Sequence, residues 1–179
     1  VLEEHPEKQI CVIDSRAAAG TMGLLIRRAQ ALMEAAGDDG DFDALCQQLH
    51  RYQATLRTCF TLENFDNLIK NGRMRPIVGT LLRSLGIHII ADATAEGTIH
   101  VADKARGVGK TYRAITALMK ASKDCTDAEV VISHCENLEG AMALKRQILA
   151  DLPVKQVDLL SCRGLTSFYA MEKGLIVGY

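Results

Sequence analysis

Residues Glu129-Val130-Val131-Ile132-Ser133 form an apolar run between two stretches of helical periodicity, 110–122 and 137–152. A short apolar run with helices on both sides reads as a buried strand. Working outward, 156–160 reads as a second such strand, and a turn at Gly164 leads to a last one, 175–179. On the other side, 87–94 and 98–103 read as two strands joined through Glu96-Gly97, a hairpin signal. Another strand, 58–62, precedes a helix over 63–71 that stops at Gly72. Pro76 then suits the first turn of a short helix that runs to Leu85 and stops at Gly86. Strands alternating with helices point to α/β or α+β layering with a mixed sheet.

The N-terminal part is organised differently. Residues 9–14 read as a strand ending in Asp14-Ser15, and the small-residue turn Arg16-Ala17-Ala18-Ala19-Gly20 follows. From Thr21 a helix places Met22, Leu25, Ala29, Leu32, Met33 and Ala36 on one face and closes at Gly37. Beyond the acidic turn Asp38-Asp39-Gly40-Asp41, a second amphipathic helix carries Phe42, Leu45, Cys46, Leu49, Tyr52 and Leu56. A lone strand makes no sheet. Either 9–14 joins the later strands, or its neighbours lie upstream of residue 1.

Composition narrows the function classes. The 179 residues carry 21 Lys plus Arg against 22 Asp plus Glu and are 48% hydrophobic. That balance excludes wholesale disorder. It also argues against a general nucleic-acid binder, which needs a basic excess to release counterions from phosphate. No apolar run reaches the length of a membrane span. The first residues show no basic-then-apolar signal segment, so a cytoplasmic location is expected. Six cysteines contain no Cys-x-x-Cys pair and read as small buried hydrophobes of a reducing compartment. The five histidines lack zinc-ligand spacing, so no metal site is expected.

Three motifs invite chemistry. Lys104-Ala105-Arg106-Gly107-Val108-Gly109-Lys110-Thr111 ends like a phosphate-binding loop, but Lys104 stands where the first glycine must turn the backbone around the phosphate. Its basic residues still suit a helix entrance for an anion, with solvated surface charge as the simpler reading. His134 and Cys135 form a nucleophile-like couple, yet neighbours on a strand point to opposite faces and should not meet. The turn Cys162-Arg163-Gly164-Leu165-Thr166-Ser167-Phe168-Tyr169 combines hydroxyls, a thiol and aromatics that could grip a polar head-group beside an apolar tail.

Taken in order, several short motifs resemble the DegV family of bacterial fatty-acid-binding proteins. They are Val12-Ile13-Asp14-Ser15 with its Ala/Gly-rich turn, Leu68-Ile69-Lys70-Asn71-Gly72-Arg73, and Lys104-Ala105-Arg106-Gly107. The Gly97 hairpin, the strand ending Ser133-His134 and the glycine turn after Cys162 support them, and the match runs along the whole chain. The resemblance implies two α/β domains with mixed sheets flanked by helices and a long-chain fatty acid held between them. It implies no catalysis and no cofactor, the bound fatty acid being a ligand presented to a separate fatty-acid kinase for phospholipid metabolism. On this reading residues 1–40 are the C-terminal remnant of the first domain, 41–57 a helical excursion, and 58–179 the second domain.

The family's residues carry over one by one. Its Ser, separated from Asp-Ser by three residues and a carboxylate ligand, falls at Ala19, followed by Gly20 and by Thr21 as the nearest hydroxyl. Its His-x-Gly-Pro-Gly turn falls on 162–166, which leaves Cys162, Thr166 and Ser167 as lipid-contact candidates. Arg73 and Arg106 match its two arginines, the second of which serves kinase docking or phosphate handling. Two other readings remain: a nucleotide-dependent phosphotransferase using 104–111, and a non-binding structural or interaction domain.

Overall fold

The structure, a computed structural model, describes residues 3–37, 39–75, 86–94 and 96–179. Two helices come first, α1 (Gly20–Ala36) and α2 (Phe42–Thr55), followed by β1 (Thr58–Leu62) and the short α3 (Asp66–Lys70). The hairpin β2 (Ile87–Ala93) and β3 (Ile99–Arg106) leads into α4 (Val108–Ser122). The chain then alternates through β4 (Glu129–His134), α5 (Leu138–Asp151), β5 (Gln156–Ser161), α6 (Gly164–Ala170) and β6 (Leu175–Gly178). The helix expected to begin at Pro76 falls outside the described residues.

The strands build one mixed sheet in the order β3-β2-β1-β6-β4-β5, in which only β4 and β5 pair in parallel. That parallel pair is joined by the crossover helix α5, as parallel pairing requires. One face of the sheet carries α4 and α5. There Ile115, Met119, Leu144 and Ile148 pack on Cys59, Ile90, Val130, Ile132 and Val177 in a continuous buried core. Tyr179 closes this core, its hydroxyl 2.7 Å from Ser122 Oγ. The other face carries α1 over β4 and β6, with α3 and α6 beside it.

Residues 9–14 form no ladder with any described strand, and Val12 is 82% exposed. Of the two alternatives for this run, pairing with the later strands is therefore not the one seen among the described residues. One expectation needs correction: the expected face of α1 is rotated. Met22 and Met33 are exposed, whereas Gly20, Thr21 and Leu24 are buried. The physical reason is close backbone approach: a Cβ on Gly20 would lie 2.5 Å from Val131 Cγ1, and one on Gly178 would collide with Thr21. Small residues at the crossing, not the largest apolar ones, choose the face that meets the sheet. Arg27 extends the same stripe, donating from Nη1 to Asp158 at 2.8 Å.

Candidate functional site

The turn before α1 is set by the sheet beneath it. Gly20 lies against Val131 and Ser133 of β4, and the Thr21 hydroxyl lies 2.8 Å from that of Thr58 in a buried pair. This contact points the Thr21 side chain at β1, away from the turn. Ala19 takes φ 55° at the N-cap of α1, whose first turn has no side-chain cap and no acidic residue. No side chain caps this helix start, and although Met22 N already donates to Ala19 O at 3.1 Å, the macrodipole favours negative charge there.

Ala19 also joins an apolar cluster on this side of the sheet. Phe60, Leu62, Ala91 and Ile176 form its floor, Leu68 and Ala170 come from α3 and α6, and Ala19, Cys135, Cys162 and Tyr169 pack against it half-buried. Asn67 Nδ2 donates to Phe168 O at 2.7 Å and ties α3 to α6 across the cluster. Ala19 and Cys162, far apart in sequence, therefore share one apolar surface.

At the α6 end, Cys162 N donates to His134 O at 2.7 Å, which fixes the turn on β4. Burial, and secondarily the charge of Cys135, pushes the Cys162 thiol up to about 11, so it stays protonated and is a weak donor. Burial likewise raises the Cys135 thiol. Ser167 Oγ donates to Gly164 O at 2.9 Å, so its proton is engaged within α6, while Thr166 is half-buried in the first turn of that helix. Phe60, Cys135 and Tyr169 were not among the expected site residues. The apolar strand 58–62 was the available signal for Phe60, Tyr169 ends the turn singled out after Cys162, and Cys135 is marked in the sequence only as a couple with His134.

The arginines sit elsewhere. Arg73 is exposed in the loop after α3, its Nη1 donating to Asn71 O at 2.7 Å. Arg106 ends β3, opposite Ile87. The β2–β3 register shifts between Ile90 and Ala91, leaving Ala102 as an extra residue. Such a bulge reverses which side chains reach each face. Ala105 consequently packs with the α4–α5 core, and Lys104 and Arg106 fall on the face that carries the Phe60 cluster. Cys162, just past β5, stands at the far side of the sheet from β3, five strand spacings away or roughly 24 Å.

The phosphate-loop reading does not survive this geometry. Lys104, Ala105 and Arg106 are paired strand residues, α4 starts at Val108, and Thr111 is buried with its hydroxyl donating to Gly107 O at 3.0 Å. His134 and Cys135 do point apart: His134 follows the buried Val130 and Ile132 side of β4, whereas Cys135 packs with the Phe60 cluster. Among the described residues no group of three or more His, Cys, Asp or Glu side chains is placed to hold a metal ion.

Comparison with known proteins bears on this arrangement. The family model described as "Uncharacterised protein, DegV family" matches residues 1–174. A DegV domain-containing protein of Streptococcus gordonii is 34% identical over 179 residues, which are 99% of this chain and 62% of the relative. A DegV family protein of Ruminococcus gnavus, solved with vaccenic acid, superposes with a TM-score of 0.90 at 30% identity, covering 99% of this chain and 63% of its own. The Streptococcus pneumoniae fatty acid kinase B3 protein, loaded with linoleic acid, gives a TM-score of 0.89 at 33% identity, covering 99% and 62%. The chain thus spans a little over three fifths of the length of the relatives it matches. With that match on both sequence and fold, the chain belongs to the DegV family.

Proposed function

We propose that the chain is the larger part of a protein that binds a long-chain fatty acid and presents its carboxylate to a separate fatty-acid kinase, without catalysis of its own. The observation that carries this reading is the Phe60 cluster, an apolar surface bounded at one end by the uncapped start of α1 and by Cys162. The fatty acids held by the Ruminococcus gnavus and Streptococcus pneumoniae relatives support it. An acyl chain taken out of water gains about 0.8 kcal/mol per methylene, so the tail supplies ample affinity. The carboxylate is the costly part, since a buried charge must find donors. The amides of the first turn of α1 serve it here, Ala19 and Cys162 having replaced stronger side-chain donors, with Thr166 nearby. On this reading residues 1–40 close a first α/β lobe, of which α1 rests on the sheet of the second. The slot lies where the lobes meet, and the protein works in the cytoplasm. No helix among the described residues is long and apolar enough to cross a membrane.

Native mass spectrometry of the full-length protein purified from a bacterial host tests the proposal. The expected result is a co-purified fatty-acid mass, or uptake of added linoleic acid by ligand-free protein. A bare protein that takes up neither linoleic nor vaccenic acid overturns it. Calorimetry with magnesium and ATP should show no binding by this protein alone.

A further inference from the structure

A second cleft, of about 320 Å³, lies between the starts of α4 and α5, on the face of the sheet opposite the Phe60 cluster. Thr61 and Leu175 line it from the sheet, Tyr112 from α4 and Glu139 from α5, with Glu63 and His88 beside them. Thr61 reaches this face because the strand register sets it opposite Ile90 and Leu175, both members of the α4–α5 core. Two hydroxyls in the cleft are unpartnered. Thr61 is 6% exposed, and its buried Oγ1 has no hydrogen-bond partner. Tyr112 is 8% exposed, and its hydroxyl bonds to no described residue. Folded proteins leave few such groups, so the pair points to a partner from outside the chain. Other polar side chains of the lining are already engaged. Asn137 Oδ1 accepts from Gly140 N at 3.1 Å while its Nδ2 donates to Lys173 O at 2.9 Å, and Thr111 bonds to Gly107 O.

We propose that this cleft binds a cationic nitrogen group, an ammonium or guanidinium on a short alkyl stem, that donates to Thr61 Oγ1 and the Tyr112 hydroxyl and faces the carboxylates of Glu63 and Glu139. Charge selects this ligand. Glu63 meets His88 at 3.8 Å, an imidazole that is charged only when protonated, and Glu139 has no ion-pair partner among the described residues. Lys173, which is exposed, and the uncapped start of α4 would favour an anion. At Tyr112 they do not govern. Burial first, then the charges of Glu139 and Glu63, raise its phenol, and no positive group offsets them. Two carboxylates and two hydroxyl oxygens are acceptors, and an ammonium or guanidinium is a pure donor. The stem rests against Val108 and Ala143, which also line the cleft. Such a group has two sources: a free small amine, or a Lys or Arg side chain of a partner protein. Val108 follows Arg106 by two residues, so a partner that meets Arg106 also stands near the cleft.

The test titrates the full-length protein with n-butylammonium and n-butylguanidinium, and with n-butanol and inorganic phosphate for comparison, following the NMR signals of the Thr61 methyl and the Tyr112 ring. The cations should shift both signals saturably, with Kd roughly millimolar for probes of so few atoms. Thr61→Val and Glu139→Gln should each weaken this binding by about tenfold. Thr61→Val should not lower the melting temperature, because it removes a buried hydroxyl that bonds to nothing in the protein. If the source is a partner side chain, butylguanidinium should compete with the fatty-acid kinase for the protein. Glu139→Gln should then weaken that complex and leave bound fatty acid unchanged. If the source is a free amine, the complex should ignore both, and either result supports the site. The proposal is overturned if neither cation binds saturably, if binding survives both substitutions, or if phosphate binds more tightly. A lower melting temperature in Thr61→Val also overturns it, since the hydroxyl would then be satisfied by fixed water. Fatty-acid retention, read on the other face, tests the proposed function separately.

Discussion

Ala19 holds φ 55° and ψ −132° at the entrance to α1, a backbone shape that alanine adopts only under constraint from its surroundings. The constraint is the contact just beyond it, where Gly20 rests on Val131. Two predictions belong at this scale. Ala19→Ser adds a hydroxyl beside the first turn of α1 and, on the proposed reading, should tighten fatty-acid binding by the full-length protein. One further hydrogen bond to a charged group is worth about 1.5–3 kcal/mol, so Kd should fall by roughly tenfold to a hundredfold. Displacement of a fluorescent fatty acid measures it, and an unchanged Kd would place the carboxylate elsewhere. Gly20→Ala pushes a methyl into Val131 and should destabilise by about 1–3 kcal/mol. If the clash is the cause, the same change should cost clearly less in a Val131→Ala background. Strictly additive losses in the double-mutant cycle would show another origin.

Among the elements, α2 depends most on its own sequence. It has no buried residue, and its start is held by Asp41, which accepts from Asp43 N at 3.0 Å and Ala44 N at 3.1 Å. Asp41→Ala should cost about 1 kcal/mol. Hydrogen exchange should speed up over the first turns of α2 while the sheet amides stay protected; uniform loss of protection would mean α2 is more deeply integrated. The α4–α5 seam has a pH-dependent part. Asp151 accepts from Thr116 Oγ1 at 2.7 Å and Gln147 Nε2 at 2.8 Å, and these bonds hold its carboxyl below the ordinary value, Thr116 first. A carboxyl depressed in the folded state stabilises fully above its unfolded pKa, and that contribution fades as pH falls through the folded value. Melting temperature should therefore drop less steeply toward acid in Asp151→Asn than in the parent, and parallel curves would remove Asp151 from the account. Element identity was legible in the sequence wherever periodicity and glycine agree, as at the 129–133 run and the Gly97 hairpin. The face of α1 was not legible, because the crossing at Gly20 and Gly178 is a tertiary fact that apolar periodicity does not encode. The extra residue Ala102 was equally hidden, and it decides which side of the sheet Lys104 and Arg106 occupy. Of the site, Ala19 could be found only through a family pattern that it breaks, whereas Cys162 also stood in a turn marked by its own hydroxyls, thiol and aromatics.

For the whole molecule, the proposed function assigns two tasks to opposite sides of the sheet. Ala19 and Cys162 lie toward β4 and β5, while Arg106 ends β3 at the opposite edge, exposed and on the same face as the apolar cluster. Four to five strand spacings, roughly 19–24 Å, are too far for one guanidinium to reach a carboxylate held between Ala19 and Cys162. On the proposed reading, a fatty acid seated by the α1 amides has no need of Arg106, and this arginine is left to meet the kinase. Arg106→Ala in the full-length protein should leave co-purified fatty acid unchanged and weaken kinase-dependent acyl phosphorylation. Loss of a charged contact worth about 1.5–3 kcal/mol corresponds to a fall of roughly ten to a hundredfold in kcat/KM. Arg106→Lys should recover part of this if charge alone steers docking, and little if a planar, bidentate contact is made. Arg73→Ala is the matched comparison, since that side chain already donates to its own loop at Asn71. If lipid retention and phosphorylation fall together in Arg106→Ala, the arginine reaches the bound carboxylate after all, and the separation of holding from presenting across the sheet is wrong.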